Sequence, residues 1–421
     1  MNVTLTASTP NGKIKAISSK SAAHRALICA AFAGESTEII CSETNADIDA
    51  TVRCLASLGA KITRRGESFI TLPIKNIPPH ASLDCGESGS TLRFLLPIVC
   101  ALGCETEFKM SGRLPERPLS PLREELEAHG AMISESGTDT LRVSGKISAG
   151  EYRIRGDVSS QFISGLLFAL SILEGESRIL LTSAIESAPY INMTLKALYD
   201  FGADISIDER GFTVRGVKHL TSPKTVTVEG DWSNAAFMLA AGAIAKGASV
   251  CVTSLDSESL QGDRAILELL VRFGADVRRK NDKITVRSGA LYGIDIDATN
   301  IPDLVPILAV IAAAANGRTV IRGASRLRLK ESDRLSSVSD MLFTIGASIA
   351  KTDDGLIIDG GGRLAGGTVS SHADHRIAMS AAVAALLCDG EVTVTDAEAV
   401  EKSYPAFWDD IATLGFNVKK N

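Results

Sequence analysis

The chain has 421 residues, of which 45% are hydrophobic and 22% are charged, and its formal net charge is −6. This length exceeds what one hydrophobic core usually serves, so two domains of about 200 residues are expected. The negative charge argues against a nucleic-acid-binding protein, whose surface is usually basic, and the longest apolar run, residues 307–315, is too short to cross a membrane.

The first residues, MNVTLTASTPNGKIKAISSK, contain neither an apolar signal core nor an Arg-rich leader, which predicts a cytoplasmic protein. Eight cysteines lie mostly in apolar stretches without a C-x-x-C pair, so they are expected to pack as free thiols. Cys100 and Cys104 have a helical i, i+4 spacing, but no histidine joins them and no metal is predicted. The nucleotide, zinc-protease and serine-hydrolase motifs are missing, so no cofactor is predicted either.

Two patterns repeat along the chain. The first is an amphipathic helix that ends in LGA or a close variant and leads into a strand. Its glycines are Gly59, Gly130, Gly202, Gly274, Gly346 and Gly415, which are 69 to 72 residues apart. The second is an almost wholly apolar helix closed by Gly34, Gly103, Gly175, Gly247, Gly317 or Gly390 and followed by a β-branched run.

The alternation of the two patterns predicts six repeats, three in each of two domains. A helix that is apolar on nearly all sides must be surrounded by protein, so the second set of helices is expected to lie inside layers of sheet and outer helix. Glycine after each helix is the expected left-handed C-terminal cap.

The N-terminus of each apolar helix is expected to carry the chemistry, because its backbone N–H groups and dipole favour anions. Polar residues gather there in segments 18–21, 86–91, 156–161, 230–234, 301–303 and 372–376. Singly, each segment is explained by ordinary N-capping. Capping does not explain Lys20, Arg25, Arg93 and Arg376, since a cation is unfavourable near a helix N-terminus. Together they predict a cleft for several anionic groups.

Two loops add further cations. Arg113 and Arg117 flank a rigid Pro-containing turn that suits a carboxylate or phosphate. The segment SRLRLKESDR, residues 325–334, alternates cations and anions; a solvated, self-neutralising loop is the alternative explanation, and it fits Arg326 best. An arginine- and lysine-rich site with a few carboxylates favours proton transfer on a multiply anionic substrate.

In chain order, the segments SKSAAHRAL, GESGSTLRF, GRLPERP, GDVSSQF, SAPYI, GDWSNAAF, IPDLVP, LRLKESDR, ADHRIAM and KSYPAF resemble those of the EPSP synthases, the 3-phosphoshikimate 1-carboxyvinyltransferases. They span residues 19 to 407. LRLKESDR, DHRIAM and KSYP are the most specific of them.

The resemblance implies an α/β (α+β) fold of two domains, an inverse α/β barrel-like arrangement with six β-α-β-α-β-β repeats of about 70 residues, three per domain. The N-terminal lobe would comprise residues 15–229 and face shikimate 3-phosphate. The C-terminal lobe would comprise residues 1–14 and 230–421 and face phosphoenolpyruvate, with the active site in the interdomain cleft.

The resemblance also implies which residues bind the two substrates. For shikimate 3-phosphate they are Ser21, Arg25, Ser159, Ser160, Gln161, Ser187, Asp303 and Lys330, with Tyr190 nearby. For phosphoenolpyruvate they are Lys20, Gly89, Arg113, Gln161, Arg334, Arg376 and Lys402. No metal or other cofactor is implied. The partners are these two small molecules, without nucleic acid or membrane, and the chain is expected to be a monomer.

The implied reaction moves the enolpyruvyl group onto the 5-hydroxyl of shikimate 3-phosphate and releases phosphate through a tetrahedral intermediate. Asp303 is the candidate base for the hydroxyl. Glu331 is the candidate for proton transfer at C3, with Lys20 as acid or electrostatic clamp and His375 close by. Three residues depart from the family pattern. Glu87 stands where asparagine is common, Arg326 stands where some members have an asparagine that helps to hold the shikimate phosphate, and Asn234 stands where serine is usual.

Three alternatives remain open. A UDP-N-acetylglucosamine enolpyruvyl transferase shares fold and donor but typically uses a loop cysteine, and no cysteine lies between Cys104 and Cys251. A non-catalytic binder of small anions would not need Asp303, Glu331 and Lys20 in one cleft. RNA-end chemistry on a related architecture is disfavoured by the acidic charge.

Overall fold

The structure is a computed structural model and describes residues 1–135 and 137–421. The chain divides into two compact lobes. The continuous lobe is Ser18–Val228, and the split lobe is Met1–Ile17 together with Glu229–Asn421. Each lobe has an apolar core of its own.

Twelve α-helices occur in the described part of the chain. They are α1 (Lys20–Ala31), α2 (Ala46–Ser57), α3 (Gly89–Leu102), α4 (Leu122–Ala128), α5 (Ser160–Ser171), α6 (Ala188–Asp200), α7 (Trp232–Ile244), α8 (Ile266–Phe273), α9 (Val305–Ala314), α10 (Arg334–Thr344), α11 (His375–Ala384) and α12 (Phe407–Thr413). No helix within residues 1–135 and 137–421 has the length and apolar character that a membrane crossing requires.

The strands are short, as β-branched runs closed by glycine predict. They are β1 (Val3–Thr6), β2 (Asn11–Lys15), β3 (Thr37–Ile40), β4 (Lys61–Arg65), β5 (Ser68–Leu72), β6 (His80–Gly86), β7 (Glu105–Met110), β8 (Ala131–Glu135), β9 (Thr140–Gly145), β10 (Glu151–Ile154), β11 (Gly175–Leu181), β12 (Asp204–Asp208), β13 (Gly211–Gly216), β14 (Thr225–Thr227), β15 (Ser249–Thr253), β16 (Asp276–Lys280), β17 (Lys283–Arg287), β18 (Asp295–Asp297), β19 (Gly317–Arg322), β20 (Ser348–Lys351), β21 (Leu356–Gly360), β22 (Gly367–Ser370), β23 (Val392–Thr395) and β24 (Asn417–Lys420).

Each repeat forms one four-stranded sheet. In the third repeat the strand order is β10-β11-β13-β12: β10 and β11 are parallel, and β13 is antiparallel to both β11 and β12. Helix α5 connects the parallel pair and α6 leads to the hairpin. The same order recurs in the other five sheets of the described chain. The predicted β-α-β-α-β-β repeat is therefore confirmed.

Three strands join sheets far from their neighbours in sequence. In the continuous lobe, β14 pairs in parallel with β3 and so supplies the opening strand of the first repeat. In the split lobe, β2 pairs with β15 of the fourth repeat. Strand β1 pairs with β23 and β24 and completes the sixth.

The odd-numbered helices are the apolar ones, and they are buried almost along their whole length. In α9 every residue from Val305 to Ala313 is buried. The even-numbered helices bury one face, as their amphipathic pattern predicts. All eight cysteines are free thiols and all but Cys251 are buried, which confirms their predicted packing.

The glycine caps are only partly as predicted. All six glycines of the amphipathic pattern have positive φ, for example 107° at Gly59 just beyond α2. Of the glycines that close the apolar helices, only Gly103 directly follows its helix in the left-handed region. Gly34 and Gly390 do not have positive φ, so the prediction is wrong there. Helices α1 and α11 instead have Phe32 and Ala385 as their C-caps, before the glycine.

The caps of the buried helices differ between the lobes. In the continuous lobe, Ser19, Ser88 and Ser159 cap α1, α3 and α5 with neutral hydroxyls. In the split lobe, carboxylates of Asp231 and Asp374 cap α7 and α11. Neutral caps leave the helix dipole available to an external anion, whereas a carboxylate cap already occupies it.

Candidate active site

The split lobe contains a buried cluster of charge centred on Arg334, the first residue of α10. Its Nε lies 2.8 Å from Oδ2 of Asp374, its Nη1 lies 2.7 Å from Oδ1 of Asp303, and its Nη2 lies 2.7 Å from Oε2 of Glu331. The guanidinium is almost wholly buried. Because arginine carries donors in a rigid planar fork, this one side chain fixes three carboxylates that come from separate loops.

Asp303 is the most heavily contacted carboxylate of this cluster. It sits in the 3-10 turn Pro302–Leu304, immediately before α9. Besides Arg334, its Oδ1 lies 3.5 Å from Nζ of Lys330, and its Oδ2 lies 3.4 Å from Nη2 of Arg376. The Nη1 of Arg376 also donates to the Asp303 carbonyl at 2.9 Å.

These cations decide the protonation of Asp303. Burial by itself would raise the pKa of the carboxyl, but Arg376, Lys330 and Arg334 lower it well below its usual range. Asp303 is therefore a carboxylate at neutral pH. In the absence of a ligand it is a weak base, because a general base works best with a pKa near the operating pH.

Glu331 lies between Arg334 and Lys402, the last of the predicted cations in the sequence. Its Oε1 lies 3.9 Å from Nζ of Lys402, which is buried. His375 begins α11, is buried, and has its Nδ1 3.8 Å from Oδ1 of Asp374. The split lobe thus brings together all seven of its predicted site residues: Asp303, Lys330, Glu331, Arg334, His375, Arg376 and Lys402.

A further carboxyl, Asp263, lies buried beside this cluster. It accepts a hydrogen bond from the hydroxyl of Ser233 in the first turn of α7. Burial, and next the charge of Asp303, raises its pKa to about 6, against the opposing effect of Arg376. Sequence reasoning missed Asp263, because nothing in QGDR distinguishes it from a surface aspartate.

In the continuous lobe, Lys20 is the first residue of α1 and is paired with Asp47 in the first turn of α2. The Nζ to Oδ2 distance is 2.8 Å, and the two side chains are 17% and 7% exposed. Sequence reasoning missed Asp47, since an acidic residue in the first turn of a helix is usual. The pair places an ammonium group at the N-terminus of α1, where a dipole alone would disfavour it.

Arg25 lies one turn deeper in α1, and each of its three side-chain nitrogens donates one hydrogen bond to the protein. Its Nε donates to Oγ1 of Thr194 at 2.9 Å, and Nη1 and Nη2 donate to the carbonyls of Ser21 and Tyr190 at 2.6 Å and 2.8 Å. Burial lowers its pKa to about 10. Arg25 therefore ties α1 to α6, and it brings the predicted residues Ser21 and Tyr190 together.

The N-terminus of α3 is closely packed by arginine. A Cβ atom added to Gly89 would lie 2.7 Å from Nη1 of Arg117, so glycine is what allows this approach. Arg93, one turn further, donates through Nη1 to Oε1 of Gln161 at 2.8 Å. The Gln161 amide in turn donates to Oγ of Ser90 at 2.9 Å. Gln161 is thus hydrogen-bonded to Arg93 and to Ser90, the residue that follows Gly89.

The residue pattern predicts Arg93 and Arg117 for an anion site, although the resemblance assigns neither to a substrate. Arg93 lies near the N-terminus of α3, and Arg117 lies in the same loop as Arg113. Arg113 itself is 44% exposed and pairs with Glu116 at 3.3 Å. Among the described residues, no hydrogen bond or ion pair joins Arg113 to another predicted site residue.

Three predicted serines lie at helix starts. Ser159 caps α5 by accepting from the N–H of Gln161 at 3.3 Å, and Ser160 is the buried first residue of that helix. Ser187 precedes α6 with φ of 56°, a left-handed conformation that a non-glycine residue rarely adopts. Ser187 is also buried.

Two of the three departures from the family pattern, Glu87 and Arg326, have local contacts. The carboxylate of Glu87 lies against Gly112, next to Arg113. Arg326 donates through Nη2 to the carbonyl of Thr299 at 3.0 Å. Within residues 1–135 and 137–421, no group of three or more His, Cys, Asp or Glu side chains is placed to hold a metal ion.

Comparison with known proteins agrees with this geometry. The family model described as EPSP synthase (3-phosphoshikimate 1-carboxyvinyltransferase) matches residues 6–411. A 3-phosphoshikimate 1-carboxyvinyltransferase of Clostridium botulinum (strain Eklund 17B / Type B) is 41% identical over 416 residues, which cover 96% of this chain and 95% of that protein. One from Clostridium kluyveri is 41% identical over 408 residues, with the same coverage of both chains.

Solved structures give the same result. The EPSP synthase of Acinetobacter baumannii superposes with a TM-score of 0.82 at 26% identity, over 100% of both chains. The enolpyruvyl transferase NikO of Streptomyces tendae superposes with a TM-score of 0.78 at 19% identity, a likeness of fold. The full-length match, the repeats and the Arg334 cluster together place this chain in the EPSP synthase family, the 3-phosphoshikimate 1-carboxyvinyltransferases.

Proposed function

We propose that this chain transfers the enolpyruvyl group of phosphoenolpyruvate to the 5-hydroxyl of shikimate 3-phosphate and releases inorganic phosphate. The reaction belongs to the shikimate pathway of aromatic amino acid biosynthesis. The observation that carries the proposal is the match to relatives named for this reaction, at 41% identity over 96% of the chain.

The charges of the site support two anionic substrates. Around Asp303 and Glu331 the split lobe holds four cations, Lys330, Arg334, Arg376 and Lys402, two of which pair with Asp303 over 3.4 Å or more. Longer pairs of this kind are readily exchanged for a phosphate or carboxylate of a ligand. We assign Arg334, Arg376 and Lys402, with Lys20, Gly89, Arg113 and Gln161, to phosphoenolpyruvate.

The phosphate-bearing acceptor is assigned to the serine-capped helices of the continuous lobe. Ser21, Arg25, Ser159, Ser160, Gln161 and Ser187 would hold shikimate 3-phosphate, with Asp303 and Lys330 contributed by the split lobe. Neutral caps support this assignment, because the helix dipoles of α1 and α5 remain available to a phosphate.

In the chemical step, the 5-hydroxyl oxygen bonds to C2 of phosphoenolpyruvate as its proton passes to Asp303 and a proton is added at C3. The tetrahedral intermediate then loses a proton from C3 and expels phosphate, which restores the vinyl group. Lys330 and Arg376 lower the pKa of Asp303. When a ligand anion pairs with these two cations, the pKa of Asp303 rises and it becomes a stronger base.

The other predicted catalytic residues are assigned to the proton at C3 and to charge stabilisation. Glu331 would exchange the C3 proton, with Lys402 and Arg334 holding its two oxygens. Lys20, held by Asp47, would act as acid or electrostatic clamp at the departing phosphate. His375 would orient the cluster through Asp374. We further propose a cytoplasmic monomer that binds no nucleic acid.

The test is phosphate release from phosphoenolpyruvate, with either shikimate 3-phosphate or UDP-N-acetylglucosamine as acceptor. Release with shikimate 3-phosphate alone is expected. Release with the sugar nucleotide alone would keep the donor chemistry and overturn the acceptor. Failure with both acceptors would favour a binding protein.

A second measurement tests the base. The Asp303→Asn variant keeps the size of the side chain but removes the proton acceptor, so kcat should fall at least a hundredfold. The matched control is Asp359→Asn, which removes a carboxylate from the exposed pair with Arg318. Equal activity of both variants would reject Asp303 as the base.

A further inference from the structure

Helices α1 and α2 of the continuous lobe are joined by two side-chain pairs, one above the other. Lys20 and His24 are four residues apart in α1, and Asp47 and Thr51 are four residues apart in α2, so each pair lies on one helix face. The outer contact is the ion pair of Lys20 with Asp47 at 2.8 Å. The inner one joins Nδ1 of His24 to Oγ1 of Thr51 at 2.6 Å.

The inner contact continues to the N-terminus of α3. Oγ1 of Thr51 lies 2.7 Å from Oγ1 of Thr91, and Oγ1 of Thr91 donates to Oγ of Ser88 at 2.8 Å. Ser88 is the N-cap of α3 and precedes Gly89. All four residues are at most 1% exposed. We call His24, Thr51, Thr91 and Ser88 the His24 chain.

The direction of the hydrogen bonds fixes the state of His24. Each hydroxyl has one proton to donate. Since Thr91 donates to Ser88, Thr51 must donate to Thr91 and must accept from Nδ1 of His24. Nδ1 of His24 therefore carries a proton, and because burial lowers the pKa of the ring to about 3, His24 is the neutral Nδ1–H tautomer at pH 7. Its Nε2 is buried, and no hydrogen-bond partner for it occurs among the described residues.

We propose that His24 is a positioning residue: the His24 chain fixes the first turns of α1 and α3 relative to each other, and so sets where Lys20 and Gly89 meet their ligand. Both ends of the His24 chain lie next to predicted binding residues. Lys20 stands one turn above His24 on the same face, and Gly89 follows Ser88 directly. A neutral chain suits this task because a charge at its centre would repel Lys20 and Arg25.

This inference rests on the proposed function, in which Lys20 and Gly89 bind phosphoenolpyruvate while Arg25 and Ser21 bind the acceptor. Thr51→Val preserves the shape of a buried side chain and removes the hydroxyl at the middle of the His24 chain. We expect the KM for phosphoenolpyruvate to rise about fivefold to tenfold, with the KM for shikimate 3-phosphate within about twofold. Thr51→Ser restores the hydroxyl and should restore the KM.

The matched control is Thr37→Val. Thr37 is equally buried, and its hydroxyl is hydrogen-bonded to that of Ser222 at 2.8 Å. It lies on β3 and is not part of the His24 chain. Loss of general stability would affect both variants alike, whereas a positioning role raises the KM only in Thr51→Val. If the two variants have the same KM values as the wild type, the inference is wrong even though the wild type is active.

A spectroscopic measurement does not depend on activity. The ring-nitrogen shifts of ¹⁵N-labelled His24 should report a protonated Nδ1 and an unprotonated Nε2 at pH 7. In Thr51→Val this pattern should change, because Nδ1 loses its acceptor. A wild-type Nε2–H tautomer would overturn the directed chain. An inactive wild type with the Nδ1–H tautomer would instead count against the proposed function alone.

Discussion

Nη1 of Arg334 lies 2.7 Å from Oδ1 of Asp303, and the same guanidinium holds Glu331 and Asp374. The two predicted catalytic carboxylates are thus positioned by one buried cation. That cation also restrains their chemistry, since it contributes to lowering the pKa of Asp303. The cations that position Asp303 therefore also make it a weaker base, until a ligand anion pairs with some of them.

Removing the central cation should destabilise the folded protein. In Arg334→Met, three carboxylates lose their common partner in a buried setting, and we expect a loss of about 3–5 kcal/mol in the free energy of unfolding. Chemical denaturation of the purified variant measures it. As a control, Arg363→Met removes the exposed pair with Asp389 and should leave stability unchanged. Equal loss in both variants would contradict the central role of Arg334.

A methyl group at Gly89 should weaken donor binding. The added Cβ would lie 2.7 Å from Nη1 of Arg117, so the guanidinium must move away from the N-terminus of α3. We expect Gly89→Ala to raise the KM for phosphoenolpyruvate about tenfold or more, with a smaller effect on the acceptor. In Gly362→Ala the new Cβ would meet no atom within 4 Å, and steady-state kinetics should match the wild type.

Acid should destabilise the continuous lobe through His24. Burial lowers its pKa from 6.5 to about 3; Asp47 opposes the shift, while Lys20 and Arg25 add to it. Below pH 6.5 His24 is protonated in the unfolded chain but remains neutral in the folded chain. The free energy of unfolding therefore falls as the pH falls toward about 3. The slope is about 1.4 kcal/mol per pH unit. In His24→Asn, urea unfolding between pH 6.5 and 4 should show a shallower slope than in the wild type; an identical slope would refute this assignment.

Asp263 should have the opposite pH dependence. Its pKa is raised from 3.8 to about 6 by burial first and by Asp303 next. The folded chain then retains a proton that the unfolded chain has lost, so stability decreases as the pH rises from about 4 to about 6. Asp263→Asn keeps an acceptor for Ser233 and removes this titration. The variant should be more stable than the wild type at pH 7, by at most about 3 kcal/mol; a less stable variant would be inconsistent with a raised pKa.

Much of the fold follows from the local pattern. The period of the glycines and the apolar helices predicted six repeats, because helix burial and helix ends depend on neighbouring residues. The pairing of strands that are far apart in the sequence does not follow from such local patterns. That β14 opens the sheet of the first repeat depends on how distant segments pack, and no spacing in the sequence indicates its register with β3.

The same distinction applies to the candidate site. Asp303, Arg334 and Arg376 could be named from their motifs, and the structure brings them within contact of one another. Asp47 and Asp263 could not, because their role depends on which side chains their helix or loop meets. A carboxylate in a first helical turn has the same sequence pattern whether it faces solvent or Lys20.

The split lobe has a consequence for chain connectivity. Asn2 and Asn421 exchange backbone hydrogen bonds, with N–O distances of 3.4 Å and 2.9 Å, so the two ends of the described chain are neighbours in one sheet. Joining them by a short linker and opening the backbone between Ile17 and Ser18 would give a circular permutant. In it each lobe is a single uninterrupted stretch, and the polypeptide passes between lobes once instead of twice.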